Sequence, residues 1–180
     1  MMRSYEASTI ALFTGLAVLF RYFKNAVTVV QFINFPLLFT ILAGLFFGSR
    51  TGFFVGFLSY TISDLLIFPG IWTIVNSLLA GFIGFLWGLA RKREWSGIEL
   101  FAWLYLSVFF FDVLSSFILY VTIGFKLLDA LTWGIVGLFL PVFGGSLIGV
   151  GPITELCTSL LTYVLFRELE KRGVFYEVGV

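Results

Sequence analysis

Residues 43–56 read AGLFFGSRTGFFVG, in which glycine recurs at every fourth position: Gly44, Gly48, Gly52 and Gly56. Small residues at this spacing let helix backbones approach closely, a packing mode typical of helices inside a membrane. Arg50 lies in the middle of the segment, and an arginine at the centre of a bilayer is costly. We therefore predict two helices that meet at a short turn, with Arg50 in water and the two glycine pairs packing these helices together.

The composition indicates an integral membrane protein with a single domain over residues 1–180. Of the 180 residues, 60% are hydrophobic, 20% aromatic and only 12% charged, and the mean hydropathy is +1.07. Soluble domains contain about 25% charged residues. The net charge of +1 gives no reason to expect a nucleic-acid partner. Cys157 is the only cysteine and histidine is absent, so we expect no disulfide, no metal and no cofactor.

The spans follow from the apolar runs and the charges between them. A spanning helix needs about 20 mostly apolar residues, and six runs approach this length: 4–24, 33–48, 51–68, 72–90, 98–123 and 150–168. Lysine and arginine collect in cytoplasmic loops, and the basic residues cluster at 91–93 and 167–172. These clusters predict an all-α bundle of six transmembrane helices with both termini in the cytoplasm. We interpret the first run as a span and not as a removed signal peptide.

The apolar segment 127–149 between the fifth and sixth helices is the exception. Counted as a seventh span, it would move the C-terminal basic cluster to the outside. Pro141, Gly144, Gly145 and Gly149 interrupt it, so we predict a cap or a re-entrant segment on the outer face. Irregular backbone at that depth is tolerated only when protein buries it or when it lines a cavity.

Three acids lie within the predicted spans, and such residues usually face the interior or a cavity. Asp112 is deep in the fifth helix, whereas Glu155 and Asp64 lie nearer the outer ends of the sixth and third. Helical spacing gives Asp112 the neighbours Ser116 and Tyr120. The same spacing places Thr158, Ser159 and Thr162 beside Glu155, and Trp72 beside Asn76 on the fourth helix. With Asn34 at the start of the second helix, these faces predict an outward pocket for a small molecule. The predicted substrate-binding residues are Asp112, Glu155, Asn76, Trp72, Asn34, Ser116, Tyr120 and Thr158.

Several of these residues also have ordinary structural interpretations. Asp64 is more readily explained as a tie for the turn between the third and fourth helices. Trp72 suits an interfacial anchor, and Glu155 suits the first turn of a helix. Arg21 and Lys24 suit cations that snorkel to the surface. Acids outnumber bases in the pocket, which favours a neutral or cationic heterocycle such as a thiamine-related compound or another vitamin.

The first helix carries small residues at every fourth position, at Ala7, Ala11 and Gly15. This face either packs inside the bundle or docks a separate membrane subunit. The residues alone leave the two interpretations open.

These features together resemble the substrate-binding, or S, components of energy-coupling factor (ECF) transporters. The resemblance covers roughly the first ninety residues, a length that holds four spans. It rests on the Ala7 and Ala11 face, Asn34-Phe-Pro36, the glycine block 44–56, Ser63-Asp64, Pro69-Gly70 and the run 76–84.

The resemblance implies a multi-pass subunit in a prokaryotic plasma membrane that captures a vitamin-like nutrient from outside. It implies a transmembrane coupling protein and two ATPase subunits as partners, with Ala7, Ala11 and Gly15 as the docking face. It also implies that the loop at 25–32 acts as a lid. The chain has no GxxxxGK[ST] phosphate loop, so hydrolysis of ATP by that machinery requires partners.

Two other classes of function remain as alternatives. A small ion- or proton-coupled carrier or channel would use the membrane acids, although the sequence has no convincing internal repeat. A membrane-embedded enzyme is less favoured, because no nucleophile or metal constellation is recognisable.

Overall fold

The computed structural model describes residues 4–28, 30–139, 142–144, 147–149 and 151–173. The predominantly helical chain folds into α1 Ser4–Val27, β1 Val30–Gln31, α2 Phe35–Phe47, α3 Ser49–Ile67, α4 Ile71–Leu89, α5 Gly97–Thr122, α6 Leu127–Val136, β2 Val142–Gly144, β3 Leu147–Gly149 and α7 Gly151–Lys171. Short 3-10 turns follow α4 at Ala90–Lys92 and α6 at Gly137–Phe139. Helices α1–α5 and α7 begin and end within three residues of the six predicted segments.

The predicted turn between the second and third helices is present. Helix α2 ends at Phe47, and Gly48 adopts a φ of 96°, a conformation that favours glycine. Helix α3 then begins at Ser49. The side chain of Arg50 is 55% exposed, and its Nε lies 3.4 Å from Oε1 of Glu6 at the start of α1.

The glycines of this segment pack mainly against α4, a partner that the spacing alone did not reveal. A Cβ built on Gly52 would lie 2.8 Å from the Cα of Gly44, so α2 and α3 do approach each other. A Cβ on Gly44 would also lie 3.0 Å from the nitrogen of Gly88, and one on Gly56 would lie 2.8 Å from the nitrogen of Gly81. The prediction that the glycines pack α2 against α3 is therefore incomplete, because α4 provides a third backbone.

Helix α2 forms the centre of the bundle. Ten of its thirteen residues are buried, and it packs against α1, α3, α4 and α7. Asn34 caps its start by accepting a hydrogen bond from the nitrogen of Leu37, and Pro36 occupies the first turn, where a missing N–H costs nothing.

The basic residues collect at one end of the bundle. This basic end contains the start of α1, the turn at Gly48–Arg50, the turn at Ala90–Gly97 and the end of α7. Arg50 contacts Glu6 there, and Nη1 of Arg91 lies 3.8 Å from where a Cβ on Gly48 would be. Arg167 donates a hydrogen bond to the carbonyl of Trp95. The opposite end contains the end of α1, the starts of α2, α4 and α7, and the end of α3.

Within the described residues, three helices are long and apolar enough to cross a membrane: Ser4–Val27, Gly97–Thr122 and the stretch Ile71–Lys92. Phe35–Phe47 and Leu127–Phe139 are apolar but shorter. Helix α7 is long enough but less apolar, since its buried residues include Thr154, Glu155, Thr158, Ser159 and Thr162. The count of six spans remains a prediction.

Segment 127–149 contains the ten-residue α6, too short for a spanning helix, and two short strands. Strand β3 pairs antiparallel with β2 and parallel with β1, in the order β1-β3-β2. The connection from α1 to α2 is therefore tied to the connection from α6 to α7. Residues 140, 141, 145 and 146 of the predicted cap, including its Pro141 and Gly145, lie outside the described residues, and its placement at the membrane surface remains a prediction.

Candidate ligand-binding site

A buried hydrogen-bond network joins α2, α3 and α7 at the end opposite the basic end. The backbone nitrogen of Asn34 donates to Oγ1 of Thr158 over 2.9 Å. The side-chain oxygen of Asn34 accepts from the hydroxyl of Tyr60 over 2.7 Å and from the nitrogen of Leu37 over 3.2 Å. The structure thus brings together two predicted site residues, Asn34 and Thr158, and adds Tyr60.

An ion pair between Arg21 and Asp64 extends this network to α1. Nη2 of Arg21 lies 2.6 Å from Oδ1 of Asp64, whose side chain is 2% exposed. Arg21 also donates to the hydroxyl of Ser63 and lies 5.2 Å above the ring of Tyr60. Arg21 therefore points inward and does not snorkel. Asp64 ties α3 to α1, and its side chain also interacts with Thr73 in the first turn of α4, beside the turn at which its structural role was predicted.

The carboxylates of Asp112 and Glu155 interact electrostatically with each other. Glu155 is 1% exposed, and its Oε1 has no hydrogen-bond partner among the described residues. The hydroxyl of Ser159, one turn along α7, is also buried without such a partner in that part of the chain. Tyr105 of α5 interacts with Glu155. Because an unsatisfied buried acceptor is costly, Oε1 of Glu155 is well placed to receive a hydrogen bond from a bound molecule.

Neither Asp112 nor Glu155 forms an ion pair with any residue that the structure describes. Lys24, at the end of α1, is another cation at this end of the bundle. Its Nζ is buried without a hydrogen-bond partner among the described residues. Arg21 is already compensated by Asp64. The site therefore presents two carboxylates with no described counter-ion.

The remaining predicted residues make mostly local contacts. Asn76 accepts a hydrogen bond from Ser115 over 2.5 Å and so links α4 to α5. The indole of Trp72 donates to the carbonyl of Phe68 over 3.1 Å, and the two rings stack with centroids 5.5 Å apart. These contacts hold Trp72 beside the turn between α3 and α4.

The predicted face of α5 is divided. Tyr120 packs against Phe125 with ring centroids 5.3 Å apart, at the end of the helix. Ser116 is half-buried and forms no hydrogen bond with a described residue. Of this face, Asp112 alone interacts with the network, through Tyr60 and Glu155.

Tyr60 and Tyr105 were not among the predicted site residues, although their helical spacing from the acids indicated both. Tyr60 lies four residues before Asp64, and Tyr105 lies seven residues before Asp112. Both spacings place the tyrosine on the same helix face as the acid.

The small face of α1 is exposed. Ala7, Ala11 and Gly15 line an open groove of about 850 Å³ between α1 and α3, whose other wall includes Leu58, Ile62 and Leu66. The hydroxyl of Thr14 is buried at this groove without a hydrogen-bond partner among the described residues.

In the described part of the chain, no group of three or more His, Cys, Asp or Glu side chains is arranged to hold a metal ion.

Comparison with known proteins gives one match. A family model described as "ECF-type riboflavin transporter, S component" matches residues 2–151. Searches of curated proteins and of solved structures return no match.

Proposed function

Because the chain belongs to the family of ECF-type riboflavin transporter S components, a family of transport subunits and not of enzymes, we propose that it binds riboflavin or a closely related flavin. It captures this ligand at the outer side of the membrane and delivers it through a coupling protein driven by two ATPase subunits. The resemblance to ECF S components is confirmed by the family match. The vitamin and the partners are our proposal.

The buried acceptor atom of Glu155 is the observation that supports this ligand best. Riboflavin is neutral and offers an imide N–H and four ribityl hydroxyls as donors. Glu155 Oε1 is buried and unpartnered among the described residues, and Asp112 lies within its electrostatic reach. An ionised carboxylate accepts hydrogen bonds and donates none, so the two carboxylates match a ligand rich in donors.

Aromatic rings supply the apolar part of the site. The rings of Tyr60 in α3 and Phe111 in α5 lie with their centroids 5.2 Å apart. Phe111 directly precedes Asp112 in the sequence, and the hydroxyl of Tyr60 donates a hydrogen bond to Asn34. A flat heterocycle suits such walls, because offset stacking adds to the gain from burial. A cationic thiamine-like compound is the second candidate, since the two carboxylates have no described counter-ion.

The connection between α1 and α2, whose predicted bounds of 25–32 overlap the end of α1, acts as a short lid in this proposal. Its strand β1 pairs with β3, and the carbonyl of Gln31 accepts a hydrogen bond from Thr154, one residue before Glu155. A movement of this connection would therefore be transmitted through these hydrogen bonds to the first turn of α7.

The first experiment measures riboflavin binding to the purified chain by quenching of flavin fluorescence. We expect saturable binding by the unmodified protein, and weaker binding by Glu155→Gln and by Asp112→Asn. Hydrogen bonds to a charged group contribute about 1.5–3 kcal/mol, so each variant should lose roughly ten-fold to a hundred-fold in affinity.

Glu168→Gln is the matched control, because Glu168 lies on the same helix at the basic end, where it pairs with Lys171 at 3.1 Å. It should bind riboflavin like the unmodified protein. No binding of riboflavin by the unmodified protein would refute the flavin assignment. Unchanged binding in both site variants would refute the assignment of Asp112 and Glu155 to the site, but not the assignment of riboflavin as the ligand.

The groove between α1 and α3 is the proposed docking surface for the coupling protein. Its small residues Ala7, Ala11 and Gly15 leave space for a helix of the partner, and Leu58, Ile62 and Leu66 offer it an apolar wall. Close approach of backbones favours helix association in lipid through van der Waals packing, because burial of apolar surface supplies no driving force there.

Ala11→Trp tests this surface, because the indole would fill the groove. We expect transport to be abolished and co-purification of the coupling protein to be lost, while riboflavin binding persists. The control is Leu12→Trp, at a neighbouring position whose side chain is 60% exposed and lies outside the groove lining. Equal transport by the two variants would contradict the docking assignment.

A further inference from the structure

A second groove lies between α4 and α5, away from the docking surface, and it shares with the proposed flavin site only the buried ring of Phe111. It has a volume of about 330 Å³, and its lining is apolar apart from Ser107. We call it the tryptophan groove, after Trp87, Trp95 and Trp103, which line it with Leu79, Leu86 and Phe110. Leu86, Trp103 and Phe110 are exposed, so the groove opens onto the surface that would face lipid.

The length of the groove matches one leaflet of a bilayer. One wall runs from Leu79 in α4 to Ala90, the first residue after that helix, which is roughly 16 Å at 1.5 Å per residue. The hydrocarbon core of a bilayer is about 30 Å thick, so one leaflet measures about 15 Å. The groove ends at Trp95 in the turn of the basic end, where a lipid headgroup would lie.

The turn at that end carries positive charge with few described partners. Arg93 pairs with Glu99, but neither Arg91 nor Lys92 forms an ion pair with a described residue. Glu94 is the one acid of residues 91–99 without such a pair, so the turn keeps a net positive charge. Basic pockets beside transmembrane helices attract anionic headgroups.

A hydrogen-bond donor lies at the same point. Trp87 and Trp95 pack with ring centroids 5.4 Å apart, yet their indole groups differ. Nε1 of Trp87 donates to Ser107 over 3.0 Å. Nε1 of Trp95 is buried and has no hydrogen-bond acceptor among the described residues.

We propose that the tryptophan groove binds an acyl chain of an anionic phospholipid from the leaflet at the basic end, and that Arg91 and Lys92 bind its headgroup. The indole N–H of Trp95 donates to an ester carbonyl of the same lipid, at the boundary between the headgroup and the chain. This site goes beyond the proposed flavin transport and does not depend on it.

Native mass spectrometry tests the site on the full chain released from detergent with equal amounts of phosphatidylglycerol and phosphatidylcholine. We expect phosphatidylglycerol to be retained preferentially, by roughly ten-fold or more for two cations near a headgroup. The double variant Arg91→Gln/Lys92→Gln should lose this preference. Trp95→Phe should weaken retention of both lipids about equally, because both contain the ester carbonyl.

The control is Lys171→Gln/Arg172→Gln, which removes the same charge at the same end of the bundle but away from the groove. It should keep the preference. Equal retention of the two lipids by the unmodified protein would overturn the proposal, as would an equal loss of preference in the two double variants. Displacement of the lipid by added coupling protein would assign the groove to a protein helix and would also overturn it.

Discussion

Arg21 shows how one side chain can organise the interior of a small membrane domain. Its guanidinium reaches Asp64, Ser63 and the ring of Tyr60, so a single cation joins α1 to two turns of α3. Taking charges out of water is costly, and the cost is offset only when the partner and further hydrogen bonds are well placed. Because Arg21 is paired with Asp64, Asp112 and Glu155 have no counter-ion among the described residues.

Asp64→Asn should strongly destabilise the protein, because it leaves Arg21 buried without a counter-charge. Loss of one partner of a buried pair typically costs about 3–5 kcal/mol. Thermal unfolding in detergent, followed by tryptophan fluorescence, should show a clear fall in Tm. The double variant Arg21→Met/Asp64→Leu removes both charges and should recover much of the loss. A Tm for Asp64→Asn equal to that of the unmodified protein would contradict this account of the pair.

At the scale of helices, glycine replaces side-chain packing by backbone packing. Gly84 of α4 lies against the backbone of Gly52 in α3, so closely that a Cβ there would overlap it. Gly44 of α2 meets the same stretch of α4. The three helices therefore form a tight unit, and α1 and α7 add partners to the polar groups of α2 and α3.

Gly84→Ala should weaken this unit, since a backbone carbonyl cannot move aside as a side chain can. Overpacking of this kind typically costs about 1–3 kcal/mol. Gly15→Ala is the matched control, because a Cβ on Gly15 meets nothing within 4 Å. That change should leave Tm unaltered or raise it slightly, as alanine favours helix over glycine by about 0.5–1 kcal/mol. Tm measured on both variants checks the contrast, which equal Tm values would disprove.

At the scale of the whole molecule, most of the basic residues lie at one end of the bundle. Arg50, Arg91, Lys92, Arg93 and Arg167 lie at the basic end, whereas Arg21 and Lys24 lie at the other. Basic residues remain on the cytoplasmic side during insertion, so this distribution supports the predicted cytoplasmic position of the basic end and the proposed outward position of the ligand site. The alternative of six spans with the opposite orientation would place the cations outside.

Cysteine labelling of intact cells tests the orientation. In a Cys157→Ser background, a membrane-impermeant maleimide should label Lys126→Cys, at the start of α6, from outside. It should label Arg172→Cys only after the membrane is permeabilised. The reverse pattern would show that the orientation is wrong, and labelling of both positions in intact cells would contradict the prediction that the two positions lie on opposite sides.

The sequence by itself determined the membrane class and the positions of the helices, and it singled out the interior acids of the proposed site. These depend on local properties: the apolar runs, the glycine and charge breaks between them, and the cost of an interior acid such as Asp112 or Glu155. Only the tertiary structure decided how each helix is rotated about its axis. That rotation turned Arg21 inward onto Asp64, placed Tyr60 against Asn34 and held Trp72 and Tyr120 in local contacts. It depends on how closely whole helices pack, as at Gly52 and Gly84, and no single helix contains that information.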